Sequence, residues 1–161
     1  MTTYGPFAET TPRGQTGWVD DRRRPVPEHL RLMLGKLDGS ALCTYSIWRG
    51  TNPESIIVTR RDVGETFIQA AGSAEALTVE VRLVGDDGVG HLYTVGKDQP
   101  ADGPTVLLPI NPERAVRVRP NEVFTADEAA QIFAEYYRTD AVAGTYTLRE
   151  LDLSTPQSEQ R

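Results

Sequence analysis

The sequence predicts an α+β fold: a mainly antiparallel sheet of about six to seven strands with about three helices packed on one face. Residues 77–84, "LTVEVRLV", alternate apolar and polar, and after "GDDG" the chain returns as "VGHLYTVG", the pattern of a hairpin with one buried face. Residues 27–39 and 124–137 instead place apolar side chains at helical spacing. The resulting order is helix, two strands, helix, four strands, helix, strand. It lacks the strict alternation of strand and helix that a doubly wound nucleotide-binding fold requires.

Residues 1–25 mix Gly, Pro, Thr and charge without periodicity, and are expected to be disordered or loosely packed. Within them "DDRRRP" reads as an exposed mixed-charge linker. A single domain is expected over residues 26–153. It opens on a helix, with Pro27 suited to the first turn, Leu30, Met33, Leu34 and Leu37 as its apolar stripe, and Gly39 as its stop. "ALCTYSIW" reads as a strand, "RGTNPE" as a turn and "SIIVT" (residues 55–59) as the partner strand. "RDVGETFIQAAG" carries Asp62 and Glu65 at capping distance, with Val63, Phe67 and Ala70 or Ala71 facing one way, and is predicted to be the second helix.

The hairpin at 77–96 follows, and then two further strands, "TVLLPI" and "AVRVRP". The last helix can be placed almost to the residue. Thr125 and Glu128 form a capping box, Phe124 a hydrophobic staple on Ala129, and Ala129, Ile132, Phe133 and Tyr136 the buried stripe. "TYTLREL" closes the domain as a strand, and residues 154–161 are expected to form a disordered tail.

Composition narrows the function. The 161 residues, 39% of them hydrophobic, suit one domain. Asp and Glu outnumber Lys and Arg by 23 to 17, and the net charge of -6 argues against direct nucleic-acid binding, which needs an excess of cations. An acidic protein is suited instead to a basic partner. No apolar run approaches a membrane span, and no basic stretch followed by an apolar segment opens the chain, so a cytoplasmic protein without membrane contact is expected. Cys43 is the only cysteine, which excludes an internal disulfide and a multi-cysteine metal site.

Recognisable chemistry is scarce. There is no G-x-S-x-G elbow, and His29 and His91 are the only histidines. "GDDGVG" precedes a strand, so no helix N-terminus is there to receive a phosphate. The acid pairs Asp20/Asp21, Asp86/Asp87 and Asp127/Glu128 sit in a tail, a turn and a first helical turn, where solvation or the helix dipole accounts for them. The expectation is a protein that is not an enzyme and that carries no cofactor or metal.

The segment from "LTVEVRLVGDDGVGHLYTVG" through "NEVFTADEAAQIFAEYYRT" to "GTYTLREL" resembles the first-described immunity-protein family of bacterial polymorphic toxin systems, whose members include inhibitors of deaminase-type toxins. Val123, Asp127, Ala130, Tyr136, Tyr137 and Thr139 fit that family's helix pattern, and the resemblance spans residues 55–151. The chain departs from the family where "RTDAVAGTYTL" lacks an Arg-Pro pair and where Leu148 stands in place of a tryptophan. The resemblance implies an immunity (antitoxin) protein that occludes the active site of a cognate toxin domain with a basic face. Asp86, Asp87, Asp98 and Asp102 are then the candidate partners of toxin cations, with Tyr93 and Trp48 as aromatic anchors. The alternative is a secretion-associated chaperone or adaptor, which has the same acidic α+β form without a catalytic set. A third reading places a small-molecule site at His91 and Tyr93.

Overall fold

The structure, a computed structural model, describes residues 6–51, 54, 58–59, 63–99 and 103–151. In chain order the elements are β1 (Phe7–Thr10), β2 (Thr16–Trp18), α1 (Val26–Gly35), β3 (Thr44–Gly50), β4 (Val63–Gly72), β5 (Leu77–Val84), β6 (Gly90–Lys97), β7 (Val106–Asn111), β8 (Arg114–Val118), α2 (Ala126–Thr139) and β9 (Tyr146–Glu150), with a 3-10 turn at Pro120–Glu122 before α2. Seven strands form one antiparallel sheet in the order β2-β1-β3-β4-β5-β6-β9, and β7 and β8 pair separately as a hairpin. Among the described residues no helix is long and apolar enough to cross a membrane.

Strand alternation explains how the layers are built. Tyr45 and Ile47 of β3 align with Ala70 and Ile68 of β4, and these align with Val79 and Val81 of β5. This row is fully buried, and both helices pack on it. α1 contributes Leu30, Met33 and Leu34; α2 contributes Ala129, Ile132, Phe133 and Tyr136, with the Phe133 ring stacked 5.7 Å from that of Tyr45. The opposite face of β4 presents Ala71, which is covered by Leu108, Ile110, Val116 and Val118 of the β7–β8 hairpin.

Both long helices form where the spacing predicts, but α1 ends at Gly35 with Lys36 as its C-cap, short of the expected stop at Gly39, and Leu37 is buried from the loop that follows. Thr125 Oγ1 accepts from the Glu128 N–H at 3.3 Å while Glu128 Oε1 accepts from the Thr125 N–H at 2.9 Å, completing the box. Asp140 ends α2 in the left-handed region (φ 63°), its N–H donating to the Tyr136 carbonyl.

The predicted helix over "RDVGETFIQAAG" is instead β4, so the described residues hold two α-helices where about three were expected. Asp62 lies outside the described residues. The apolar spacing fits a helix because β4 loses its alternation at the Ala70–Gly72 end, where helices cover one face and the β7–β8 hairpin the other. β3 and β5 both need a partner between them, and that demand overrides local periodicity. Gly72 then turns the chain at φ 129°, where a Cβ would meet the Ala76 carbonyl oxygen at 2.6 Å.

Two further expectations give way. Of "SIIVT", Ser55, Ile56 and Ile57 lie outside the described residues, while Val58 and Thr59 are in no strand; β3 pairs with β4 and β1. The N-terminal segment, expected to be loosely packed, supplies β1 and β2 at the sheet edge. Phe7 is the reason: its side chain is fully buried, with its ring 5.5 Å from that of Tyr136 and 5.3 Å from that of Tyr137. One buried Phe in a short segment leaves no periodic signal.

The passage from the β7–β8 hairpin to α2 is held by a buried charge. Arg149 of β9 donates to both Glu122 carboxylate oxygens at 2.8 Å, and the Arg119 N–H donates to Oε1 at 2.7 Å. The Glu122 side chain keeps only 2% exposure and that of Arg149 29%. Beside it, Asn121 Nδ2 donates to the Lys97 carbonyl, packed over Gly96, where a Cβ would stand 2.8 Å from that nitrogen.

Two outcomes are expected in denaturation experiments. Arg149→Met leaves the Glu122 carboxylate buried and unpaired, and should lower unfolding stability by about 3 kcal/mol, the low end for a broken buried pair because Arg149 is partly solvated. Adding Glu122→Leu should recover most of that loss in urea titrations. Tyr136 concerns alkaline pH. Its hydroxyl lies beside Thr66 without a well-formed hydrogen bond, and burial pushes it from 10.0 up to about 12. Below pH 10 both folded and unfolded forms are neutral. Between 10 and 12 only the unfolded tyrosine ionises, so up to about 2–3 kcal/mol should be lost across that window. Tyr136→Phe should stay within about 1 kcal/mol of the parent at pH 7 and show a shallower alkaline loss.

Candidate functional site

The β5–β6 hairpin extends the register of the sheet, Arg82 facing Leu92 and Val84 facing Gly90. Its turn closes by hydrogen bonds from the Gly85 N–H to the Val89 carbonyl and from the Gly88 N–H to the Gly85 carbonyl, with Gly88 at φ 75°. That geometry fixes Asp87. Its Oδ1 accepts from the Val89 N–H at 2.9 Å, and its Oδ2 lies 3.1 Å from His91 Nε2. On the other side of the imidazole, Glu150 Oε2 of β9 is 3.4 Å from Nδ1. The Val89 N–H and then His91 hold the Asp87 carboxyl below its ordinary range. The hydrogen bond to Asp87 raises the His91 imidazole, against the opposing effect of desolvation.

Around this ion pair the surface is mixed. Asp86 is exposed, and the valines flanking the turn, Val84 and Val89, are 44% and 55% exposed. The Tyr93 ring is 6.5 Å from that of His91 and packs half-buried against the core. The structure therefore brings Asp86, Asp87 and Tyr93 to one corner, and adds His91 and Glu150. His91, between two carboxylates at an exposed hairpin end, is accounted for as their ion-pair partner.

The other candidates lie elsewhere. Asp98 is exposed beyond the far end of β6, and eight residues of strand separate it from the turn, about 25 Å. Trp48 sits three strands away on the face opposite the helices, its ring 4.2 Å from that of Phe67 and its Nε1 donating to Ser46 Oγ at 3.0 Å. It lines a cleft with Val58, Thr59 and Val63. Asp102 lies outside the described residues.

One polar cluster escaped sequence reading. Glu9 of β1 accepts from the Tyr45 hydroxyl at 2.8 Å, and its Oε1 is also 2.8 Å from His29 Nε2 of α1. Arg24 Nη1 stands 3.4 Å from His29 Nδ1; since a guanidinium only donates, Nδ1 accepts and Nε2 carries the proton toward Glu9. Burial, followed by the Glu9 charge and hydrogen bond, pushes the Tyr45 hydroxyl well above its usual value. Glu9, the Arg24–His29 stretch and Tyr45 come from three separate parts of the chain, so no spacing announces the cluster. Tyr137, on the flank of α2, both packs on Phe7 and lines a groove with Val19, Pro25, Ala134 and Arg138. Among the described residues no group of His, Cys, Asp and Glu is arranged to hold a metal ion.

Comparison of the chain with protein-family models, with curated proteins and with solved structures gives no match.

The His91 ion pair can be followed directly. In an NMR titration of the ring protons, the His91 midpoint should lie above the ordinary 6.5, because both neighbouring carboxylates favour the imidazolium. Asp87→Asn should lower that midpoint and Glu150→Gln should lower it less, following the order of the two contacts.

Proposed function

We propose that this protein is an immunity (antitoxin) protein that binds a cognate bacterial toxin domain with a basic face, one acting on nucleic acid such as a deaminase, and occludes its active site. The observation that carries this is the β5–β6 hairpin end. There an exposed Asp86 and a geometrically fixed Asp87 stand between two exposed valines on a rigid ladder. Exposed apolar groups rimmed by charge mark protein contact surfaces. An anion already held in place loses little freedom when a partner cation arrives. The net charge of -6 adds long-range attraction to a basic cleft. Tyr93, half-buried beside His91, is the anchor at the inner margin of the contact.

The toxin would meet this corner with Arg or Lys from its substrate cleft. Charge pairing there raises the association rate, and the flanking valines slow dissociation. Asp98 and Trp48 fall outside such a contact, given their distance from the turn.

The test is co-expression with any toxin-like domain that proves to be encoded beside its gene, scored by growth rescue and co-purification. The parent protein should rescue growth and form a complex. Asp86→Lys combined with Asp87→Lys gives up the Asp87 contacts to Val89 and His91 but should keep the fold, since the strand ladder and the main-chain bonds that close the turn need neither side chain. It should weaken binding at least about tenfold and flatten its salt dependence. Absence of both rescue and complex with the parent protein overturns the proposal. Unchanged affinity and salt dependence in the double variant removes the hairpin end from the interface.

A further inference from the structure

Among the described residues β9 is the last strand of the sheet, with no strand on its outer side. Natural edges are blunted by shortness, proline, outward lysine or a bulge. The opposite edge, β2, is three residues long. β9 has five residues, "YTLRE", with neither proline nor lysine, and it pairs with β6 without a register shift. Its two charges already have partners, Arg149 on Glu122 and Glu150 on His91. Leu148, in the middle of the strand, is 40% exposed.

The ladder fixes which groups face outward. The Leu151 N–H donates to the Leu92 carbonyl, so in the antiparallel alternation Arg149 and Thr147 bond to β6 while Leu148 and Glu150 direct their main-chain groups away from the sheet. The Tyr146 N–H is taken by the Ala143 carbonyl, which leaves its own carbonyl outward.

We propose that β9 is a self-association edge: two copies of this chain pair antiparallel through Tyr146–Glu150 about a two-fold axis at Leu148. In that register Leu148 exchanges both main-chain bonds with Leu148 of the second copy. Each Glu150 N–H donates to the Tyr146 carbonyl opposite. The side chains match as well: leucine meets leucine on the axis, the Tyr146 hydroxyl faces the Glu150 carboxylate, and Thr147 faces Arg149. Shifting the register by two residues toward the C-terminus sets Arg149 against Arg149, and the opposite shift leaves only three residues overlapping. Self-complementarity of this kind is what an isologous contact demands. This inference does not rest on the toxin-binding proposal, which uses the turn, although Glu150 belongs both to the edge and to the corner beside His91.

One strand pair buries less than the ~1,200 Å² of a stable interface, so association should be reversible, with Kd in the range of about 10–500 µM. Sedimentation velocity on the full chain should show the mass rising from monomer toward dimer across that range. Leu148→Lys puts two like charges on the axis and should remain monomeric throughout, with a urea midpoint close to the parent's because the residue is exposed. In a Cys43→Ser background, a short bismaleimide should cross-link Leu148→Cys between copies. It should not cross-link Val89→Cys, which the two-fold would hold about 40 Å from its equivalent. A parent chain that stays monomeric to about 500 µM overturns the proposal. So does equal association by Leu148→Lys, or equal cross-linking at position 89.

Discussion

A single carboxylate, that of Glu122, holds the two halves of this molecule in register. It is buried, and it accepts from both nitrogens of the Arg149 fork and from the Arg119 N–H. At this point the chain leaves the hairpin on one face of the sheet and starts the helix on the other. Phe124 bridges to Leu77 by main-chain bonds in both directions, and Thr125 caps α2 immediately after. A buried charge is costly unless every lone pair is directed, and here donors come from the turn itself and from the last strand. The pair therefore acts as a register pin. It ties β9 to the start of α2, although the sequence separates them by the whole helix.

The two faces of the sheet do different work. The helix side is a close-packed apolar layer in which Phe7, Tyr45, Phe133 and Tyr136 are fully buried, and it supplies the hydrophobic stabilisation. The other side is partly polar: Ser46, Thr78, Glu80 and Thr94 are buried there beside Asn121 and Glu122, while the β7–β8 hairpin covers only the end near Ala71. Burying polar groups costs stability unless they are paired, so this side specifies position more than it contributes free energy. Glu9, His29 and Tyr45 repeat the arrangement within the helix side, where a directed chain of hydrogen bonds fixes α1 against the edge of the sheet.

A scaffold fixed in this way leaves its hairpin end and its edge strand free to meet other molecules. Asp87 and His91 are held by the turn and by β9, so the corner is pre-shaped and does not need to order itself on contact. Among the described residues no strand pairs with the outer side of β9, and its arginine is turned inward onto Glu122. The interaction that sets the fold's register thus also draws one of the strand's two charges, that of Arg149, away from the edge.

The sequence by itself determined what local chemistry controls. The cap and stripe of α2, the body of the first helix, the β5–β6 hairpin with its Asp-Gly turn, and the final strand all follow from periodicity and turn residues within one short window. So did the placement of Asp86 and Asp87 in an exposed turn, since acids between two alternating strands suit a hairpin turn, whereas the contact of Asp87 with His91 did not. The tertiary structure decided whatever depends on a second segment. β4 is a strand because β3 and β5 need a partner between them, and no local pattern carries that demand. β1 is ordered because Phe7 fills a hole beside Tyr136. His91 gains Glu150 and Tyr45 gains Glu9 from strands distant in sequence, and Trp48 and Asp98 are carried away from the corner by sheet order and strand length. Hydrophobic periodicity encodes which face of an element is buried, but what it is buried against is set by packing across the whole chain.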